Sequence, residues 1–243
     1  MTLRAVILDV YGTLLEVGPP RSAPERERLW QGLHQRFLGR APHQGYTEFS
    51  AACEDAVRRE HAAARTLGIE SPEVDWPGMV TGLIPGLGGL CAATRRGFLG
   101  EVAGLPRSLR LADGVAPELS RLRERGILLG IASNAQPYTL DELAAALAPA
   151  GLDLSAFESG LCFWSFENGF SKPNPHVFRI LGARLRTRGI EPAGILMVGD
   201  RLDNDVEPAR RFGWRAWHLH PAGDGCWPEL ANRLESDFIG GWR

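Results

Sequence analysis

Ala5-Val6-Ile7-Leu8-Asp9-Val10-Tyr11-Gly12-Thr13 is the stretch on which the rest of the chain is read. Its apolar run is continuous from Ala5 to Val10 except for Asp9, with no polar alternation. A run of that kind suits a strand buried on both faces of a parallel sheet, where each face is covered by helices. Asp9 then stands near the carboxyl end of a buried strand, followed by the polar Tyr11-Gly12-Thr13.

Similar runs recur along the chain. Ile127 to Ser133, the weaker Leu161 to Trp164, and Ile195 to Gly199 each end in polar or glycine residues, and Arg215 to Leu219 is a candidate fifth strand. Helical patterns separate them. Val115–Arg125 sets Val115, Leu119 and Leu122 on one side, and Pro175–Arg188 sets Val177, Phe178, Leu181 and Leu185 at helical spacing. Asp141–Leu147 ends before Pro149-Ala150-Gly151, and Val206–Phe212 is closed by Gly213. This alternation predicts an α/β fold, a doubly wound, Rossmann-like parallel sheet, with ligands at the carboxyl ends of the strands.

One stretch breaks the pattern. Between the first strand and Val115 no strand is read, whereas Pro24–Leu38, Thr47–Leu67 and Cys91–Val102 have helical character and Leu83–Leu90 reads as a loop. The expectation is an all-α domain, residues 16–110, inserted into a core formed by residues 1–15 and 111–243. Its hinges are placed at Glu16–Pro20 and Leu105–Asp113. Gly86, Gly88 and Gly89 follow no strand, so no nucleotide loop is read there.

Composition narrows the function. Of 243 residues, 27 are basic and 29 acidic, a formal net charge of -2 that argues against nucleic-acid binding through a strongly basic face. With 44% hydrophobic and 23% charged residues the chain is expected to be globular. No apolar stretch has secretory or membrane-spanning length, and a cytoplasmic protein without a membrane partner is expected. Four dispersed cysteines form no C-x-x-C pair, so they read as reduced thiols and not as zinc ligands. His218 and His220 share one side of the last run without a third ligand, and His176 falls near a helix start. Lys172 is the only lysine, against 26 arginines.

Polar residues gather where the fold places a site. Asp9 with Thr13, Ser133-Asn134, Lys172-Pro173, and Gly199-Asp200 with Asp203, Asn204 and Asp205 occur in that order at four strand ends. Singly, each has an ordinary reading as a cap or turn, and Asp203 to Asp205 would pass for a helix N-terminus. The ordered set resembles the haloacid dehalogenase-like hydrolases, in the branch whose helical cap is inserted after the first motif. The resemblance spans the chain. It implies that Asp9 is a nucleophile forming an aspartyl intermediate that water then releases. Thr13 and Ser133 would offer hydroxyls to an anionic small-molecule substrate, with backbone N–H groups near Asn134. Lys172 would neutralise Asp9 and the developing charge. In phosphatase members Mg2+ would be held by Asp9, the Tyr11 carbonyl and Asp200, with Asp205 behind them. Substrate identity is expected to lie in the cap, and oligomeric state is not legible.

Tyr11 departs from the phosphatase pattern, which has a second aspartate there as general acid and base. Loss of such a group costs about 10²–10⁴ in rate. Tyrosine at this place is similar to the 2-haloacid dehalogenases, whose halide leaves without a proton. Those enzymes, however, use no metal and carry serine and asparagine in the fourth motif, where Gly199-Asp200 stands here. They also place an arginine in the early cap. Gln31 follows Leu29-Trp30 here, with Arg36 and Arg40 nearby. A Schiff-base branch needs a cap lysine, which is lacking. The expectation is a Mg2+-dependent phosphatase for good leaving groups, with a metal-independent 2-haloacid dehalogenase and a non-catalytic phosphate-ligand-binding protein as alternatives.

Overall fold

The structure is a computed structural model that describes residues 2–220 and 225–240. Five strands, β1 (Ala5–Leu8), β4 (Leu128–Ser133), β5 (Cys162–Trp164), β6 (Ile195–Gly199) and β7 (Arg215–His218), form one parallel sheet in the order β5-β4-β1-β6-β7. All are runs read from the sequence. β1 is central, in register with β4 (Ile7 opposite Gly130) and with β6 (Ile7 opposite Met197).

Pleating divides the β1 side chains between two cores. Val6 and Leu8 meet Val115, Leu119 and Leu122 of α5 (Val115–Glu124), Leu143 and Leu147 of α6 (Tyr138–Leu147), and Leu230 and Leu234 of α10 (Trp227–Gly240). Ala5 and Ile7 meet Val177, Phe178, Leu181 and Leu185 of α8 (Pro175–Arg186), with Trp214 beyond. The sheet is thus doubly wound. Burying each large apolar side chain is worth about 1.5–3 kcal/mol, and Phe178→Ala would cost about 3–5 kcal/mol.

The stretch between β1 and α5 holds four α-helices: α1 (Ala23–Leu38), α2 (Tyr46–Thr66), α3 (Trp76–Leu83) and α4 (Ala92–Gly104). They share a core of their own around Trp30, Phe49, Val80 and Phe98, with Trp30 stacked on Phe49 at 4.5 Å. Ser22 caps α1 by accepting from the Glu25 amide at 3.4 Å, and Gly39 closes it at φ 64°.

The expectation of no strand in this stretch is corrected. β2 (Leu15–Val17) and β3 (Leu109–Leu111) pair antiparallel where the chain leaves and re-enters the core. Hydrogen bonds extend the ribbon, Gly18 to Ser108 at 2.9 Å and Arg21 to Pro106 at 3.0 Å. The Arg21 guanidinium adds bonds to the Leu105 and Arg107 carbonyls at 3.1 and 2.6 Å. Three-residue strands are too short for a periodic signal, and each is stabilised by a partner far away in sequence. The helix α3 is a further element that sequence reading misses. Gly78 and Gly82 weaken it, and its local signals are the Asp75 cap, 3.1 Å from the Gly78 amide, and Pro77 in the first turn. No described helix is long and apolar enough to cross a membrane.

Candidate active site

Strand order reverses between β1 and β6, and the crevice at their carboxyl ends is where a doubly wound sheet receives a ligand. Asp9 follows β1, and Asp200 follows β6. A single turn of π-helix, Leu202–Val206, then leads into α9 (Glu207–Arg211). Such turns are common at functional sites. This one carries Asp205 back over the sheet edge, where its Oδ2 accepts from the Arg201 amide at 3.1 Å. Asp203 points outward and is paired with the Arg201 guanidinium.

Asp9, Asp200 and Asp205 bring one carboxylate oxygen each within 4.8 Å of one another. Lys172 reaches in from the segment after β5, its Nζ 2.8 Å from Asp9 Oδ1 and 2.5 Å from Asp205 Oδ1. Burial pushes the Asp9 carboxyl up to about 6; Lys172 opposes that, and Asp205 and Asp200 add to it. Asp200 is raised by burial and by Asp205. For Lys172 burial acts to lower the ammonium's value, but Asp9 and Asp205 outweigh it, so the group is held charged.

Two glycines permit this convergence. A Cβ on Gly12, at φ 79°, would lie 2.3 Å from Asp200 Oδ2, and one on Gly199 would lie 2.3 Å from Asp205 Cγ. Thr13 and Ser133 are fully buried, yet neither hydroxyl has a partner among the described residues. Buried hydroxyls are normally satisfied, so two at adjacent strand ends are consistent with an absent anion. Asn134 instead ties two loops together. Its side-chain Nδ2 donates to the Lys172 carbonyl at 2.9 Å, and its Oδ1 accepts from the Lys172 amide at 2.7 Å.

Tyr11 turns its hydroxyl to α6. It donates to Glu142 Oε2 and lies 2.7 Å from Thr139 Oγ1. The Arg107 guanidinium covers its ring at 4.2 Å and reaches Glu142 at 3.4 Å. Burial, then the Glu142 charge, raise the phenol far above its ordinary value, against Thr139 and Arg107.

A family model for haloacid dehalogenase-like hydrolases matches residues 3–213. The chain belongs to that family. A phosphoserine phosphatase of Thermus thermophilus is 30% identical over 257 aligned positions, covering 94% of each chain. Among solved structures, a Bacteroides thetaiotaomicron family enzyme in complex with magnesium and inorganic phosphate has TM-score 0.56 at 13% identity, covering 94% of this chain and 98% of its own. A dehalogenase has TM-score 0.52 at 20% identity, covering 99% and 98%. These two likenesses show the fold.

In this hydrolase residues from the four motifs read from the sequence meet at one cavity, although Ser133 is not among its lining residues. Asp9, Thr13, Asn134, Lys172, Asp200 and Asp205 all line one cavity of about 740 Å³, as does Tyr11. Among the described residues its outer wall comes from the ribbon (Glu16, Val17, Arg110) and from Leu219, Trp227 and Pro228, with nothing from residues 18–109. Among the described residues the inserted helices contribute no wall to it. His176 is exposed at the start of α8, outside this lining. His218 lies 2.9 Å from the Asp200 carbonyl, a backbone contact that spacing alone does not reveal. Trp227 is also missed by sequence reading; its indole donates to the Thr13 carbonyl at 2.9 Å.

Proposed function

We propose that this hydrolase is a Mg2+-dependent phosphatase that acts through an Asp9 aspartyl intermediate on small phosphorylated metabolites with good leaving groups. The observation that carries this reading is the excess of carboxylate: three converge where one ammonium pairs with only two of them, Asp9 and Asp205. Hard oxygen donors in such an excess suit magnesium. Asp9, the Tyr11 carbonyl and Asp200 would hold it, with Asp205 fixing Lys172 behind. Bound there, it supplies positive charge to the phosphoryl oxygens.

The chain's own groups do the rest. Lys172 keeps Asp9 ionised near neutrality and faces the charge that develops on the transferred group. Thr13 and Ser133 donate to the anion's oxygens. Asp9 attacks phosphorus, the ester or anhydride bond breaks, and water later releases phosphate from the aspartyl group. Tyr11 supplies no proton, because its hydroxyl is already committed to Glu142 and its proton is held tightly. Leaving groups must depart as stable anions, which favours acyl and aryl phosphates. The phosphatase relative, similar over nearly its whole length, supports the reaction class. Residues 16–110 serve as the cap of a core formed by 1–15 and 111–243, the chain passing between them through the β2–β3 ribbon.

Magnesium-dependent phosphate release from acetyl phosphate and aryl phosphates is the test, with loss of at least about 10³-fold in Asp9→Asn. A broad panel of esters and anhydrides without turnover would sink the reading. Tyr11 itself favours one second reading, a 2-haloacid dehalogenase, since halide needs no proton. Metal-independent halide release from 2-chloropropionate would establish it.

A further inference from the structure

The loop between α2 and α3 runs beside the core at residues 71–74. The Ser71 carbonyl accepts from the Ser171 amide at 2.9 Å, and the Glu73 amide donates to the Gly169 carbonyl at 3.1 Å. Pro72 forms an antiparallel bridge with Phe170. Three consecutive residues of the insertion thus lie along Gly169–Ser171, immediately before Lys172. The Glu73 side chain reaches the other active-site loop. Its Oε1 accepts from Gln136 Nε2 at 2.7 Å, and its Oε2 accepts from the Ser165 hydroxyl. Ser165 Oγ in turn accepts from the Ala135 amide at 2.8 Å, and Gln136 Nε2 also donates to the Val74 carbonyl at 3.1 Å. Asn134, adjacent to Ala135, closes the ring through its two bonds with the Lys172 backbone.

We propose that Glu73 is a positioning residue of the active site, holding the Asn134–Gln136 loop and the Lys172 segment in register from the inserted helices. What that register serves rests on the phosphatase reading; the placement itself does not. The residue type follows from the partners. Gln136 Nε2 and the Ser165 hydroxyl both donate to the carboxylate, which accepts from both at once; with a glutamine one bond survives only if the Ser165 proton turns to its other acceptor, the Ala135 carbonyl at 3.1 Å. The fully buried Ser165 and largely buried Gln136 leave the network little water to substitute for a lost bond. Glu73 thereby bears on the chemistry without lining the cavity. A second link between the same layers, Arg96 to Asp141 at 2.8 Å, is exposed and touches neither loop. It serves as the control for simple adhesion.

The single lysine makes the test direct. Protein grown with [15N]lysine gives one lysine backbone amide signal, that of Lys172, whose N–H is bound to Asn134 Oδ1. In Glu73→Gln this signal is expected to shift and its hydrogen exchange to quicken about tenfold or more. On a substrate the wild type turns over, kcat should fall about ten- to a hundredfold with KM within about twofold, as for a misplaced catalytic group. Asp141→Asn should change neither. A folded Glu73→Gln with the wild-type lysine signal and exchange rate would overturn the proposal, as would an equal shift in Asp141→Asn. Glu73→Ala, where it folds, should show the larger effect; an unaltered signal there refutes the proposal equally. If the wild type hydrolyses no phosphate compound, the phosphatase reading falls while the lysine signal still decides the place of Glu73.

Discussion

Asp9 and Tyr11 are two residues apart, but their side chains belong to polar clusters of opposite balance. Around Asp9 three carboxylates gather with one ammonium that pairs with two of them, and two nearby hydroxyls have no partner among the described residues. Around Tyr11 one carboxylate meets one guanidinium, and the phenol is bonded to Glu142 and Thr139. The first cluster is electrostatically incomplete within the protein, as a site for a cation and an anion must be. The second is balanced in charge and its phenol is fully engaged, with the buried Arg107 Nε the one atom of it left without a partner among the described residues. On the proposed reading the difference assigns the chemistry to Asp9 and leaves Tyr11 out of proton transfer, although both line the same cavity.

The comparison can be broken from the Asp9 side first. Lys172→Arg should reduce phosphate release about 10²–10³-fold, because a planar fork cannot sit between Asp9 and Asp205 as a point charge does. Steady-state rates check this, and full activity would show that the ammonium's shape is immaterial. From the other side, Tyr11→Asp frees Glu142 and introduces an acid–base group. Hydrolysis of unactivated alkyl phosphates should rise about 10²-fold, measured as the ratio of alkyl to acyl phosphate turnover.

A smaller effect follows from the Asp9 carboxyl, raised by burial to about 6 from 3.8. A raised carboxyl favours the folded state when protonated, so that contribution is present below about pH 4 and lost as pH rises through 6. On the phosphatase reading magnesium displaces the same proton. Its affinity, followed by calorimetry, should therefore fall about tenfold per unit below pH 6 and level off above it. The mildest change is Glu142→Gln, which leaves Arg107 without its carboxylate and is expected to cost about 1–2 kcal/mol in chemical denaturation. Magnesium affinity should not move, since the disturbance stays within the balanced cluster.

Much of this is legible in the chain because parallel strands buried on both faces must be continuously apolar, and a charged residue at their ends then stands out. Asp9 and Asp200 are readable for that reason and Lys172 as the only lysine of the sequence, and Gly12 and Gly199 are the spaces that let the carboxylates meet. The direction of the Tyr11 hydroxyl is not readable, because Thr139 and Glu142 lie on a helix more than a hundred residues away. The ribbon at Glu16 and Arg110 joins residues 94 apart and has no local periodicity. Glu73 lies in a loop between Pro72 and Val74, and only its docking against Gln136 and Ser165 gives it meaning.

The central claim is that Asp9 attacks phosphorus, and the covalent intermediate tests it most directly. Protein mixed with acetyl phosphate and magnesium, quenched in acid and mapped by peptic digestion and mass spectrometry, should carry one phosphoryl group on the peptide containing Asp9. The label should vanish in Asp9→Asn and without magnesium. An unmodified peptide, or a propionate ester on Asp9 formed from 2-chloropropionate without metal, would contradict the account.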